Sequence, residues 1–151
     1  MKIDYNAYWP KMHDDLVALV DTPYRYGAEA FTYDWPPKEL DCSEFVELIY
    51  ARRGIPCPDG AHNQWLASYP VEAIRPGDLG FWLDHAKARP GRYGIYHVGI
   101  WYGENTVIEA RAKDSKGRYG KVIFRPRQNW ETWGPFKLAG GWRRLKVLKN
   151  T

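Results

Sequence analysis

The sequence predicts an α+β fold, with helices in its first third and antiparallel strands in its second half. Three observations predict it. Apolar residues recur at helical spacing after Asp14 and again after Asp41. From Pro76 onward, short runs rich in Ile, Val, Trp and Tyr are separated by turns that contain Gly and Pro. No linker, repeat or low-complexity tract divides the two regions, so the 151 residues are expected to form one domain.

Asp14 to Val20 carries Leu16, Val17, Leu19 and Val20, a short amphipathic helix that stops near Thr22-Pro23. Gly27 to Leu40 is a long loop, because Trp35-Pro36-Pro37 cannot sit in a helix. Cys42 to Arg53 sets Cys42, Phe45, Val46 and Ile49 on one face, with Asp41 as N-cap and Gly54 as stop. Ala61 to Tyr69 reads as a further short helix. Asp78 to Leu83 is the first strand, after the Pro76-Gly77 turn, and residues 84–94 form a basic loop. Ile95 to Tyr102 and Thr106 to Ala112 are strands joined by Gly103-Glu104-Asn105, a hairpin. Tyr119 to Arg125 and Trp142 to Leu148 complete the strands.

Composition narrows the function classes. A hydrophobic fraction of 44% with scattered charge fits a folded chain. Aromatics reach 16%, enough for core packing and for a groove that holds sugar or peptide. The net charge of +4 favours acidic partners such as nucleic acid, anionic membrane or bacterial wall. Yet Lys and Arg are spread along the chain, so no nucleic-acid arm is expected. The two cysteines make no disulfide framework and no zinc spacing, so neither metal nor cofactor is expected. Met1 to Asp15 has no apolar stretch, and no run of about 18 apolar residues exists. The expectation is synthesis in a reducing cytoplasm without a Sec signal, and no membrane insertion.

Two residues carry candidate chemistry. Cys42 falls in the first turn of a helix, where unpaired N–H groups and the helix dipole favour a thiolate; a packed, inert cysteine is the alternative. His97 lies in an apolar strand and needs a partner, either as a satisfied core histidine or as a base. Glu109 lies twelve residues on, across the hairpin, where a carboxylate would orient the ring and stabilise an imidazolium. Thiolate, imidazolium and carboxylate together form an arrangement for acyl transfer. His13, His62 and His85 read as surface or capping residues, and Cys57 as structural or incidental.

Six segments in order carry a family resemblance. Asp41-Cys42-Ser43 before an apolar helix resembles the nucleophile motif of the NlpC/P60 cell-wall peptidases. Pro23-Tyr24-Arg25-Tyr26-Gly27 resembles the segment before it, and Gly54-Ile55-Pro56 with Gln64 the stretch after it. Arg75-Pro76-Gly77-Asp78-Leu79 resembles the approach to the sheet. His97-Val98-Gly99-Ile100-Trp101-Tyr102-Gly103 resembles the strand carrying the base, and Val107-Ile108-Glu109-Ala110 the strand carrying the third polar residue. The chain departs from the pattern in three places. Glu109 stands where His, Asn or Gln is usual. Glu44 stands where a small glycine is usual, and its carboxylate could narrow the cleft or repel an acidic substrate. The loop from Gly27 to Asp41 is long and could wall the cleft.

The resemblance implies a papain-like core, with the nucleophile helix packed on an antiparallel sheet. It implies hydrolysis of peptidoglycan stem peptides, typically between γ-D-glutamate and diaminopimelate or lysine. Cys42 would be the nucleophile, His97 the base and Glu109 its orienting group. Tyr24 would place a hydroxyl near the cleft. Asp41 and Ser43 would shape the substrate-binding and oxyanion region, the Cys42 N–H being one oxyanion donor. A wall substrate with no visible export signal suits a phage lysin or an antibacterial effector delivered by a secretion machine such as type VI. An effector would have an immunity protein as partner. Two other readings share the fold: a thiol amidase or acyltransferase on a non-wall substrate, and a catalytically silent wall-binding module.

Overall fold

The computed structural model describes residues 2–31 and 34–151. Helix α1 spans Tyr5–Leu19, α2 Cys42–Ala51 and α3 Ala61–Leu66. Strands β1 (Ser68–Pro70), β2 (Leu79–Leu83), β3 (Ile95–Gly103), β4 (Thr106–Arg111) and β5 (Lys121–Pro126) follow. Two short helices, α4 (Arg127–Glu131) and α5 (Gly134–Leu138), precede strand β6 (Arg143–Leu145). All strand pairs are antiparallel, in the order β1-β6-β2-β3-β4-β5. Among the described residues no helix is long and apolar enough to cross a membrane.

Helix α1 is longer than the expected Asp14–Val20. Tyr8, Met12, Leu16 and Leu19 form one buried stripe, so the helix starts nine residues earlier and Pro10 falls on its exposed side. Asp4 caps it, its carboxylate accepting from the Asn6 N–H at 3.1 Å. Helix α2 buries Phe45, Val46, Leu48, Ile49 and Tyr50, each contributing about 1.5–3 kcal/mol of burial. Asp15 of α1 accepts from Arg52 at 2.8 Å and Arg53 at 3.1 Å, fixing the far end of α2.

The sheet is covered on both faces, which is why β2 is buried at every position. On one face Leu79, Phe81, Val98, Ile100, Ile108 and Ala110 pack with α1 and α2. On the other, Trp82, Trp101 and Val107 pack with Trp130 of α4, Phe136 of α5 and Trp142. Gly80 and Gly99 face each other across β2 and β3. A Cβ on Gly99 would lie 2.7 Å from the Trp130 ring, and one on Gly80 2.8 Å from Trp142. The two glycines make the shelf on which the tryptophans rest.

Other expectations shift at their ends. The helix expected over Ala61–Tyr69 stops at Leu66, because Ser68–Pro70 pairs with β6. The strand expected over Trp142–Leu148 is Arg143–Leu145, followed by a 3-10 turn over Lys146–Leu148. The β3–β4 hairpin turns on Glu104 and Asn105, both left-handed at φ 53° and 57°. Asp78 is buried and accepts from the Arg75 N–H and twice from the Arg144 guanidinium, at 2.7 and 2.8 Å. The Pro-Gly-Asp-Leu segment therefore locks β6 onto the start of β2.

Candidate active site

One end of the sheet gathers the expected residues. The end of β2 meets the start of β3, where Trp82 stands opposite His97 and Leu83 opposite Ile95. The end of β4 meets the start of β5, where Arg111 stands opposite Lys121. Pro23 bridges to Lys121, and Tyr24 bridges to Leu40 beside the N-terminus of α2. Cys42, Tyr24, His97 and Arg111 thus arrive at one rim from four separate segments.

Cys42 is the first residue of α2, nine-tenths buried and free of any disulfide. Asp41 caps the helix: one carboxylate oxygen accepts from the Glu44 N–H at 2.8 Å and the Ser43 hydroxyl at 3.2 Å. Its other oxygen accepts from the Gly27 N–H at 3.2 Å, tying the long loop to the helix start. Gln64 is fully buried and donates to the Ser43 and Pro58 carbonyls, both at 3.0 Å. The first turn of α2 is held from both sides.

His97 is buried, and its Nε2 lies 2.9 Å from Glu109 Oε1, with Cys42 as its other side-chain hydrogen-bond partner. Burial opposes a charge on His97. Hydrogen bonding to Cys42 and Glu109, with the field of both groups, outweighs it and holds the imidazole up to about 9. Burial likewise opposes the Glu109 carboxylate. The bond and charge of His97, the Trp130 indole N–H and Arg111 outweigh it, so Glu109 stays below the usual carboxylate range. Trp82 lies 4.3 Å from the His97 ring, a face for the imidazolium. Cys42, His97 and Glu109 therefore come together, in surroundings that favour a proton on His97.

Trp130 is the participant that the sequence reading missed. Its indole N–H donates to Glu109 Oε2, so that each oxygen of the buried carboxylate has a donor. The available signal was indirect: two glycines in neighbouring strands ask for a large ring above them. Tyr24 sits beside Cys42 and Asp41. Burial and the field of those groups push its hydroxyl upward, so it is a neutral donor.

Glu44 corrects an expectation, because its carboxylate does not face an incoming substrate. It is buried, and Oε2 accepts from the Ala30 N–H at 3.0 Å, a second tie to the loop. Burial and hydrogen bonding with Glu47 push Glu44 up to about 8. Among the described residues, Glu44, Glu47 and Asp59 are the ones whose ligand atoms gather tightly enough for a metal, within 4.8 Å. Burial, together with the neighbouring carboxyls, holds Glu44 and Glu47 above the usual carboxylate range. Burial, with Glu47 and Glu44 nearby, pushes the Cys57 thiol well up, which makes it inert at neutral pH. His85 is exposed and His13 partly so, bonded to the Tyr102 hydroxyl at 2.7 Å. His62 is not a surface residue: the Tyr93 ring lies 5.5 Å from it, tilted by 38°, and it is 6% exposed.

The family model described as NlpC/P60 family matches residues 21–128. The chain is 29% identical over 127 residues to a probable endopeptidase p60 of Listeria innocua serovar 6a, covering 82% of this chain and 24% of that protein. The chain thus spans about a quarter of that relative. An NLP/P60-family protein similar to a lipoprotein, from Staphylococcus aureus Mu50, superposes with a TM-score of 0.66 at 22% identity, over 96% of this chain and 43% of the other. The NlpC/p60 domain of the peptidoglycan hydrolase SagA superposes with a TM-score of 0.57 at 23% identity, over 93% and 97%. Most of the chain, from before Tyr24 to beyond β5, follows one family pattern on one fold, and the chain belongs to the NlpC/P60 family.

Proposed function

We propose that the protein is a cysteine peptidase that hydrolyses stem-peptide amides of peptidoglycan, at the bond between γ-D-glutamate and diaminopimelate or lysine. The observation that carries this reading is a helix-start cysteine facing a histidine held protonated by a buried carboxylate. Family membership supports the wall as substrate, since the related SagA domain is named a peptidoglycan hydrolase and the Listeria relative an endopeptidase.

The chemistry follows from the geometry. The imidazolium of His97 favours a thiolate at Cys42, which attacks the amide carbonyl carbon. The new oxyanion meets the Cys42 N–H at the start of α2, which lacks an intrahelical acceptor. His97 gives its proton to the leaving amine and then takes one from the water that releases the acyl group. Glu109 stays ionised throughout, holding the ring and its charge. Tyr24 offers a neutral hydroxyl to the bound peptide, while Asp41 and Ser43 keep the first turn in shape.

The test is mass analysis of muropeptides after incubation with wild type and Cys42→Ala. Fragments ending in γ-D-glutamate with wild type alone would support the reading. No new fragments under reducing conditions, together with no faster alkylation of Cys42 than of Cys57 at pH 7, would overturn it in favour of a silent module. Rapid alkylation without fragments would point to an amidase or acyltransferase on another substrate.

A further inference from the structure

The rim next to His97 carries more positive charge than the catalytic group can use. Arg111 is the last residue of β4, two residues beyond Glu109 on the same face. Its guanidinium lies over the Trp82 ring at 4.6 Å and over Tyr119 at 4.9 Å. Trp82 in turn touches His97, so one indole separates the guanidinium from the imidazole. The Tyr119 ring also carries Arg125 at 4.9 Å and Arg118 at 5.6 Å.

The anions nearby do not balance these charges. Asp114 is taken by Arg118 at 2.8 Å. Lys121, opposite Arg111, is taken by Asp21 at 2.7 Å. Glu109 is committed to His97 and Trp130, and reaches Arg111 at 3.4 Å, long for a charge-assisted bond. Arg125 Nη1 is buried and has no hydrogen-bond partner among the described residues. A guanidinium has five donors in a planar fork suited to a carboxylate. The Arg111 side chain is 24% exposed, open enough to meet one.

We propose that Arg111, laid over Trp82 and Tyr119 with Arg125 on the same tyrosine ring, forms a carboxylate-binding subsite at the rim beside His97. The subsite rests on the peptidase reading for its ligand, a peptide that bears a free carboxylate close to the scissile amide. Besides the C-terminal carboxylate, stem peptides offer two, the α-carboxylate of the γ-linked glutamate and the side-chain carboxylate of diaminopimelate. The buried Glu44 does not oppose such a ligand, because its carboxyl turns to Ala30 and Glu47.

Binding, not turnover, is the measurement, so that failure of the Cys42 chemistry and failure of the subsite are read separately. Calorimetry on the Cys42→Ala protein would compare L-Ala-γ-D-Glu-diaminopimelate with two analogues, one amidated at the glutamate α-carboxyl and one with lysine in place of diaminopimelate. One of the two neutralisations is expected to weaken binding about tenfold or more, which identifies the carboxylate. Adding Arg111→Gln should remove that difference by weakening the acidic peptide alone. Equal affinity for all three peptides, an unchanged difference without Arg111, or no peptide binding would each overturn the subsite. If Arg111→Gln does not fold, Arg111→Lys serves: losing the fork should cut the preference severalfold, and an unchanged preference counts against the idea.

Discussion

At the residue scale, the raised proton affinity of His97 is the product of competition between burial and its two partners, Cys42 and Glu109. A buried imidazole alone would be neutral at pH 7. Glu109, denied water and tied to Trp130, stays ionised and supplies the opposing field. The glutamate at a position where His, Asn or Gln is usual in the resemblance therefore has a specific effect: it carries a full charge. Glu109→Gln keeps the shape and removes that charge. The alkaline limb of kcat/KM, which follows loss of the His97 proton near pH 9, should move down by about one pH unit or more. Activity at pH 8 should then fall about twofold for a shift of one unit and about tenfold for a shift of two. The same coupling appears in stability. His97 is raised above its unfolded value of 6.5, so its contribution is fully present below pH 6.5 and is lost as pH rises through 9. It amounts to on the order of 3 kcal/mol. Glu109 is depressed, so its contribution is lost as pH falls below the carboxylate range. Thermal unfolding of wild type against pH should show both slopes, and Glu109→Gln should flatten both. An unmoved alkaline limb in Glu109→Gln would mean that another group holds the proton.

At the scale of elements, helix α2 is the hinge between core and site. Its apolar face is buried, while its first turn is pinned by Asp41, by Gln64 and, through Glu44, by the loop at Ala30. Glu44 does this as an acid, not as an anion. Its folded value of about 8 lies above its ordinary 4.5, so the stability it gives is complete below pH 4.5 and lost as pH rises through 8. Glu47, Asp59 and Cys57 are the titratable neighbours that face it, and ionisation of any of them adds to the repulsion. Glu44→Gln keeps an acceptor for the Ala30 N–H and removes the charge. It should raise the melting temperature at pH 8.5 by a few degrees, about 1 kcal/mol or more, and change little at pH 5. Equal melting curves for the two proteins at both pH values would show that Glu44 titrates as an ordinary surface carboxyl.

At the scale of the whole molecule, the fold and the candidate site differ in how far they could be read in sequence. Helix α2, the β3–β4 hairpin and the meeting of Cys42, His97 and Glu109 were legible because capping, periodicity and motif order agree there. The first nine residues of α1 were not, since Pro10 hides a stripe whose spacing shows only once Tyr8 and Met12 are known to be buried. Helices α4 and α5 are five residues each and have no side-chain cap, so their local signal is weak, little more than Pro135 in the first turn of α5. What places them is tertiary: Trp130 and Phe136 cover the glycine shelf on the sheet face opposite α1 and α2. That arrangement joins the back of the molecule to the site, because the ring resting on Gly99 is the ring that donates to Glu109. Gly99→Ala tests the link. The added methyl would meet the Trp130 ring at 2.7 Å, and the ring must move off the sheet. The expected loss is about 1–3 kcal/mol of stability from overpacking. Displacing the indole N–H also leaves a buried carboxylate oxygen short of a donor, so Glu109 takes a proton more readily. The acid limb of the pH–activity profile should then move to higher pH, although Gly99 touches neither Cys42 nor substrate. Trp130→Phe separates the two effects: it keeps a ring over Gly99 but removes the donor, so the acid limb should move with a smaller loss of packing. If Gly99→Ala lowers stability and both variants leave the acid limb in place, the tryptophan layer supports the sheet alone and the charge on Glu109 is set by His97 and Arg111.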